Sequence, residues 1–285
     1  MGGGGGGLKI GGGIGGIIIL ILIVLLNGGL PGGGTGTDTG GTTVGGTTDT
    51  GSTSSLSQCQ TGADANNNES CALVADVNAI QSFWSTELPK QENVRYAGAD
   101  AVFFSGSTSS GCGEAQSAMG PFYCPVDKHV YLDRSFFKNM LQGELGARGG
   151  PFAEAYVLAH EYGHHVQDLL GTMSKVHTQQ GPTSDSVRLE LQADCFAGIW
   201  TKNATTAKDA DGNTYIEGLT QDDIARAIDS AKAVGDDAIQ KETSGRVNPE
   251  QWTHGSSAER VHWFNVGMQD GTIKACDTFS AQSLG

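Results

Sequence analysis

The sequence predicts an α+β domain, mainly α-helical, with a small β-sheet. Apolar residues recur at three- and four-residue steps in several stretches beyond residue 71, each with a helix start or stop signal. Two short β-prone runs, Ala101–Ser105 and Lys128–Asp133, precede one of these helices. Composition also changes abruptly near Cys59. Half of the 44 glycines lie within residues 1–51, whereas residues 58–285 hold enough apolar side chains for one core.

Residues 1–13 are almost all glycine, with Leu8, Lys9 and Ile10 among them. Gly6 stands where an N-myristoylation signal needs Ser or Thr. Ile14–Leu26 is apolar apart from Gly15 and Gly16, and Leu8–Leu30 is long enough to cross a bilayer at about 1.5 Å per residue. A cleaved signal peptide is the competing reading, but Asn27-Gly28-Gly29-Leu30-Pro31 follows instead of an A-x-A-like site. The expectation is an uncleaved transmembrane anchor over residues 1–30, a signal-anchor of a single-pass protein. Lys9 before the span, and Asp38 and Asp49 after it, put the N-terminus in the cytoplasm and the rest in the periplasm or outside the cell. Residues 31–57 are Gly, Thr, Ser and Asp with scarcely an apolar side chain, which reads as a disordered, flexible linker.

The 31 acidic and 17 basic residues leave a net charge of −14, which excludes the basic footprint of a nucleic-acid binder. Six cysteines, Cys59, Cys71, Cys112, Cys124, Cys195 and Cys276, have no zinc-finger spacing. They suggest disulfides in an oxidising compartment; reduced thiols in the cytosol are the alternative. Cys59/Cys71 and Cys112/Cys124 make natural local pairs, leaving Cys195/Cys276, among the many connectivities six cysteines allow.

Val74, Val77, Ile80, Phe83 and Trp84 mark an amphipathic helix over Ala72–Leu88, with Pro89 as its stop. Ser105–Gly120 reads as a Gly/Ser loop. Either β-prone run, as an edge strand, can hold an extended peptide by β-augmentation. Asp133 caps a short helix, Ser135–Leu141. Longer helices follow over Pro151–Leu170 and Asp185–Lys202, then from Thr220 to about Val234, over Asp236–Glu242, and over Ser257–Gln269.

The chemistry concentrates in three of these stretches. Pro151–Leu170 contains His160-Glu161-Tyr162-Gly163-His164, with Leu158, Tyr162, Val166, Leu169 and Leu170 as an apolar stripe. On a helix, His160 and His164 lie one turn apart and can reach one Zn²⁺, while Glu161, about 100° round, can lean over a water held there. Gly163 costs about 1 kcal/mol against Ala inside a helix, which calls for close approach of another backbone. Asp185–Lys202 carries Glu190 and Asp194 one turn apart. Catalytic zinc takes three protein ligands and an open position, and a ligating histidine takes a carboxylate on its other ring nitrogen; Glu190 and Asp194 offer both. His254 stands just before the last helix, whose capping box is Ser256 with Glu259. It either donates to a developing oxyanion or is structural. Arg260 either pairs with a buried carboxylate or binds substrate carbonyls. His129, His165 and His262 read as structural, and His177 as exposed. Asp209–Asn213 has its glycine at the fourth position and no Glu at the twelfth, unlike a calcium loop.

These residues resemble those of the bacterial "putative neutral zinc metallopeptidase" family. The matching stretches are Gly120-Pro-Phe-Tyr-Cys-Pro125, Val130-Tyr-Leu-Asp133, Ala159-His-Glu-Tyr-Gly-His-His-Val-Gln167, Arg188-Leu-Glu-Leu-Gln-Ala-Asp-Cys-Phe-Ala-Gly198 and Thr253-His-Gly-Ser-Ser-Ala-Glu-Arg260, within residues 75–279. The family in turn is similar to the gluzincins, especially the CaaX-type and heat-shock membrane metalloproteases. The resemblance implies a zincin-like domain, Zn²⁺ on His160, His164 and Glu190, Glu161 as general base, support from Asp194, and oxyanion help from His254. Gly255-Ser256 follows His254 where the CaaX-type pattern has Pro-Pro.

The expectation is a membrane-anchored zinc metalloendopeptidase acting on peptide or protein substrates. The alternative is a membrane-tethered, zinc-stabilised binding module without turnover, in which a fourth protein ligand would close the metal site.

Overall fold

The computed structural model describes residues 42–44, 47–49, 58–209 and 211–285. The anchor expected over residues 1–30 lies outside them. Among the described residues no helix is long and apolar enough to cross a membrane.

Two short strands, β1 (Thr42–Val44) and β2 (Thr47–Asp49), fall inside the segment expected to be a disordered linker. They correct that expectation locally. β1 pairs antiparallel with β2, and β2 adds in parallel to the edge of β3 (Asp100–Phe104), supplying backbone partners that a free edge lacks. Between them, α1 (Gly62–Asn67) and α2 (Glu69–Glu92) are tied together by the Cys59–Cys71 disulfide. Pro89 does not stop α2, contrary to expectation. It sits in the last turn, its carbonyl accepts the Asn93 N–H at 3.1 Å, and the chain leaves the helix only where Asn93 takes φ 55°.

The Ser105–Gly120 segment is also more regular than a loop. It forms a hairpin of β4 (Ser107–Ser110) and β5 (Gly113–Gln116), pinned by Cys112–Cys124. Then come β6 (Phe122–Cys124) and β7 (His129–Asp133), which complete a five-stranded sheet in the order β1-β2-β3-β7-β6. β3 and β7 are parallel neighbours; β6 runs antiparallel to β7. Both runs read from the sequence are therefore interior strands. The sheet edge beyond β7 is β6, which is too short to announce itself by alternation. A π-helical segment, Phe137–Glu144, replaces the short helix expected after Asp133.

The remaining helices follow the sequence signals closely. They are α3 (Pro151–Leu169), α4 (Asp185–Asn203), α5 (Gln221–Ala233), α6 (Asp236–Ser244) and α7 (Ser257–Asp270). Ser184 caps α4, while Thr220/Asp223 and Ser256/Glu259 form the capping boxes of α5 and α7. α4 is the centre of the core, with Leu191, Ala193, Phe196, Ile199 and Trp200 all fully buried. It packs against α3 and α7 nearly backbone to backbone. A Cβ on Gly163 of α3 would lie 3.0 Å from the Ala193 carbonyl oxygen, which is the close approach that explains a glycine there. A Cβ on Gly198 would overlap the Phe264 carbonyl, and one on Gly267 the Cys195 carbonyl. The Cys195–Cys276 disulfide closes the C-terminal segment onto α4. All three disulfides are those expected from the sequence.

Candidate metal centre

α3 supplies His160 and His164 from one face, and α4 crosses it to supply Glu190. The three offer ligand atoms that all lie within 4.8 Å of one another. His160 Nε2 is 3.2 Å from Glu190 Oε2, and His164 Nε2 is 3.4 Å from Glu190 Oε1. Tetrahedral zinc with bonds of about 2.0–2.1 Å requires donors about 3.3 Å apart, close to the two histidine–glutamate distances. Buried imidazole and carboxylate donors of this kind are also the right chemistry for that ion.

The groups behind the ligands fix their orientation. Asp194, fully buried one turn after Glu190, accepts from His160 Nδ1 at 2.9 Å, from Tyr156 Oη at 2.6 Å, and from Arg260 Nε and Nη2 at 2.8 and 3.0 Å. Burial alone would raise the Asp194 pKa, but Arg260 and His160 bring it down to about 2. Arg260 bonds to Asp194 and to the Val234 carbonyl, the buried-carboxylate pairing expected of it, and it also lines the pocket. The Asp194 bond keeps the proton of His160 on Nδ1 and leaves Nε2 for a metal.

Glu161, also buried, has no hydrogen-bond partner among the described residues, and burial raises its pKa. It lines one pocket with His160, His164, Glu190 and His254. The rest of that pocket is largely apolar: Met119, Phe136, Met140, Val157, Met173 and Leu189, with Phe122 and Tyr123 of β6. His254 comes from the turn before α7. Its Nδ1 is 2.7 Å from Thr253 Oγ1 and 3.4 Å from Asp236 Oδ1, so Nε2 is the nitrogen left for the cleft.

Several supporting residues escaped sequence reasoning. Asp236, at the start of α6, accepts from the backbone N–H groups of Thr253, His254 and Gly255 at 2.7, 2.7 and 3.0 Å and so holds the His254 turn. Tyr156 and Gln167 lie four residues before His160 and three after His164, on the same helix face; that spacing was the available signal. His165 is buried against the Tyr123 hydroxyl and the Ala97 carbonyl, and His177 is exposed. The Asp209 carboxylate is taken up by Asp211 and Asn213 of its own turn.

A histidine pair on one helix, a carboxylate from a crossing helix, and a glutamate facing the same cleft form a cluster, among the described residues, that could hold a metal ion. The chain belongs to the family described as "putative neutral zinc metallopeptidase", whose model matches residues 1–279. The match takes in the glycine-rich N-terminus as well as the stretches named above. An uncharacterized protein of Mycobacterium tuberculosis is 51% identical over 232 residues, covering 81% of this chain and 77% of that one. An uncharacterized protein of Mycobacterium bovis has the same figures. The uncharacterized protein YpfJ of Escherichia coli is 40% identical over 233 residues, covering 79% and 77%. No solved structure matches the chain.

Proposed function

We propose that the protein is a zinc endopeptidase in which His160, His164 and Glu190 hold the metal and Glu161 is the general base. The observation that carries this is the placement of an unpaired, buried glutamate beside three donors that lie within 4.8 Å of one another. Three ligands leave the fourth tetrahedral position on the pocket side, which favours a catalytic site over a closed structural one. When bound, zinc supplies a Lewis acid that acidifies a water and polarises a carbonyl. Glu161 takes the proton of the attacking water and passes it to the leaving amine. His254, held by Asp236 and Thr253, donates from Nε2 to the developing oxyanion.

The substrate is an extended peptide. β6 is an edge strand, and Phe122 and Tyr123 line the pocket, which suits β-augmentation beside the metal. The apolar lining suits a large apolar side chain next to the scissile bond. The three disulfides agree with a domain held outside the cytoplasm by the N-terminal span.

The test is zinc content and hydrolysis of an unfolded protein, casein, by wild type and Glu161→Gln. The variant should keep about one zinc per chain and lose hydrolysis. Retained hydrolysis would sink the mechanism. Zinc binding by the wild type with no cleavage of any unfolded protein would favour the binding-module alternative.

A further inference from the structure

His160 and His164 are supported differently. His160 leans on a carboxylate; His164 leans on a neutral amide. Gln167, one turn on along α3, is fully buried, and its Oε1 accepts from His164 Nδ1 at 2.8 Å. Both hydrogens of the Gln167 amide are committed elsewhere. They go to the Leu189 carbonyl at 2.7 Å and to Gln192 Oε1 at 3.1 Å. Gln192, buried on α4, donates in turn to the Cys276 carbonyl at 2.9 Å. Each amide is therefore oriented by the next acceptor along. With Nε2 engaged twice, Oε1 is the only Gln167 atom left to face His164. An acceptor at His164 Nδ1 keeps the proton there and leaves Nε2, on the Glu190 side, free to ligate.

The far end of this chain is fixed covalently. Cys276 is bonded to Cys195, three residues beyond Gln192 on the same helix. Nearby, Thr278 Oγ1 donates to the Arg188 carbonyl at 2.6 Å, and Arg188 donates back to the Thr278 and Ala281 carbonyls. The amides orient His164 without adding charge to a site that already holds Glu161, Glu190 and Asp194.

We infer that Gln167 and Gln192 are positioning residues for the metal ligand His164, acting in series and anchored by the Cys195–Cys276 disulfide. The inference rests on the zinc reading above. It extends the site from the ligands to the C-terminal segment, whose Cys276 carbonyl lies 84 residues beyond Gln192 in sequence yet is joined to His164 through two side chains.

The test is the Zn²⁺ affinity of the full, oxidised chain, measured by competition with a chromophoric chelator. Gln167→Leu should bind zinc about 10–100-fold more weakly, the usual cost of removing such a partner. Gln192→Met should lose less, and the double variant should be no weaker than Gln167→Leu, because Gln192 acts through Gln167. Opening the anchor with Cys195→Ala/Cys276→Ala should weaken zinc binding in the wild-type background and leave Gln192→Met unchanged. Co²⁺ loaded into the same site should give ligand-field bands displaced in both glutamine variants, a signature that loss of packing alone would not move. Zinc affinities within twofold of wild type in both single variants, or additive losses in the double, would overturn the inference. If Gln167→Leu does not fold, Gln192→Met and the cysteine pair decide it in the same way. A wild type that binds no zinc would instead bring down the zinc reading itself.

Discussion

Asp194→Asn is the sharpest probe of how the site is held together. The wild-type carboxylate is fully buried and accepts from Tyr156, His160 and, twice, Arg260. Asparagine keeps the shape and one acceptor, but its NH₂ group then meets an Arg260 N–H, and a guanidinium only 4% exposed loses its counter-charge. Breaking a buried pair from one side costs about 3–5 kcal/mol. A second route to the magnitude is the carboxyl's pKa, which falls from an ordinary 3.8 to about 2 on folding. That drop is worth about 2–3 kcal/mol at neutral pH. Because the folded value is depressed, this stability is present above the ordinary value and lost as pH falls through about 2. Urea unfolding of the full chain in a zinc chelator should therefore show a loss of about 2–5 kcal/mol at pH 7. The gap between wild type and variant should narrow between about pH 4 and pH 2. Adding Arg260→Met should recover part of the loss, since neither charge then remains buried alone. A loss below about 1 kcal/mol, or one independent of pH, would refute the argument that this pair is a strained balance of burial against charge.

Other consequences are as direct. Gly198→Ala should destabilise the protein by the upper end of about 1–3 kcal/mol in chemical unfolding, because its Cβ would meet the Phe264 carbonyl on α7; a neutral result would mean the two helices can part freely. Asp236→Ala should lower kcat about 10-fold or more with zinc content unchanged, since it frees the His254 turn while leaving the ligands in place; an unchanged kcat would remove His254 from the mechanism. Burial, with Glu154 beside it, raises the Asp76 carboxyl to about 8, and burial with Glu69 raises Glu154 to about 7. The native state then holds protons that the unfolded chain releases. Stability is full below the ordinary carboxylate values and falls as pH rises toward about 8. Asp76→Asn should raise Tm at pH 8 and leave it unchanged at pH 4; an equal change at both would place the effect elsewhere.

Much of this protein was legible in order along the chain because the signals are local. The helix of His160 and His164, the turn between Glu190 and Asp194, and the capping boxes at Thr220 and Ser256 all depend on neighbours three or four residues apart. A 3.6-residue period and a cap are properties of a short peptide, so they survive without knowledge of the fold. The disulfides were readable for a related reason: two pairs are only 12 residues apart, and the third is what remains. Glycine at 163 even signalled a neighbouring backbone, though not which one.

What escaped depends on segments distant in sequence. Pro89 in a helix, β6 as the sheet edge and the pairing of β2 with β3 are settled by which surfaces happen to lie alongside, and three-residue strands carry too little pattern to declare themselves. Asp236 serves a turn 17 to 19 residues ahead of it, and Gln192 reaches a carbonyl 84 residues on. The sequence by itself determined the donors, their spacing and the helices that carry them, because those are set by local geometry. Only the tertiary structure decided which nitrogen of each histidine is free, which carboxylate steadies which ring, and which strand faces the cleft, because a hydrogen bond needs its partner within about 3 Å and only packing brings it there.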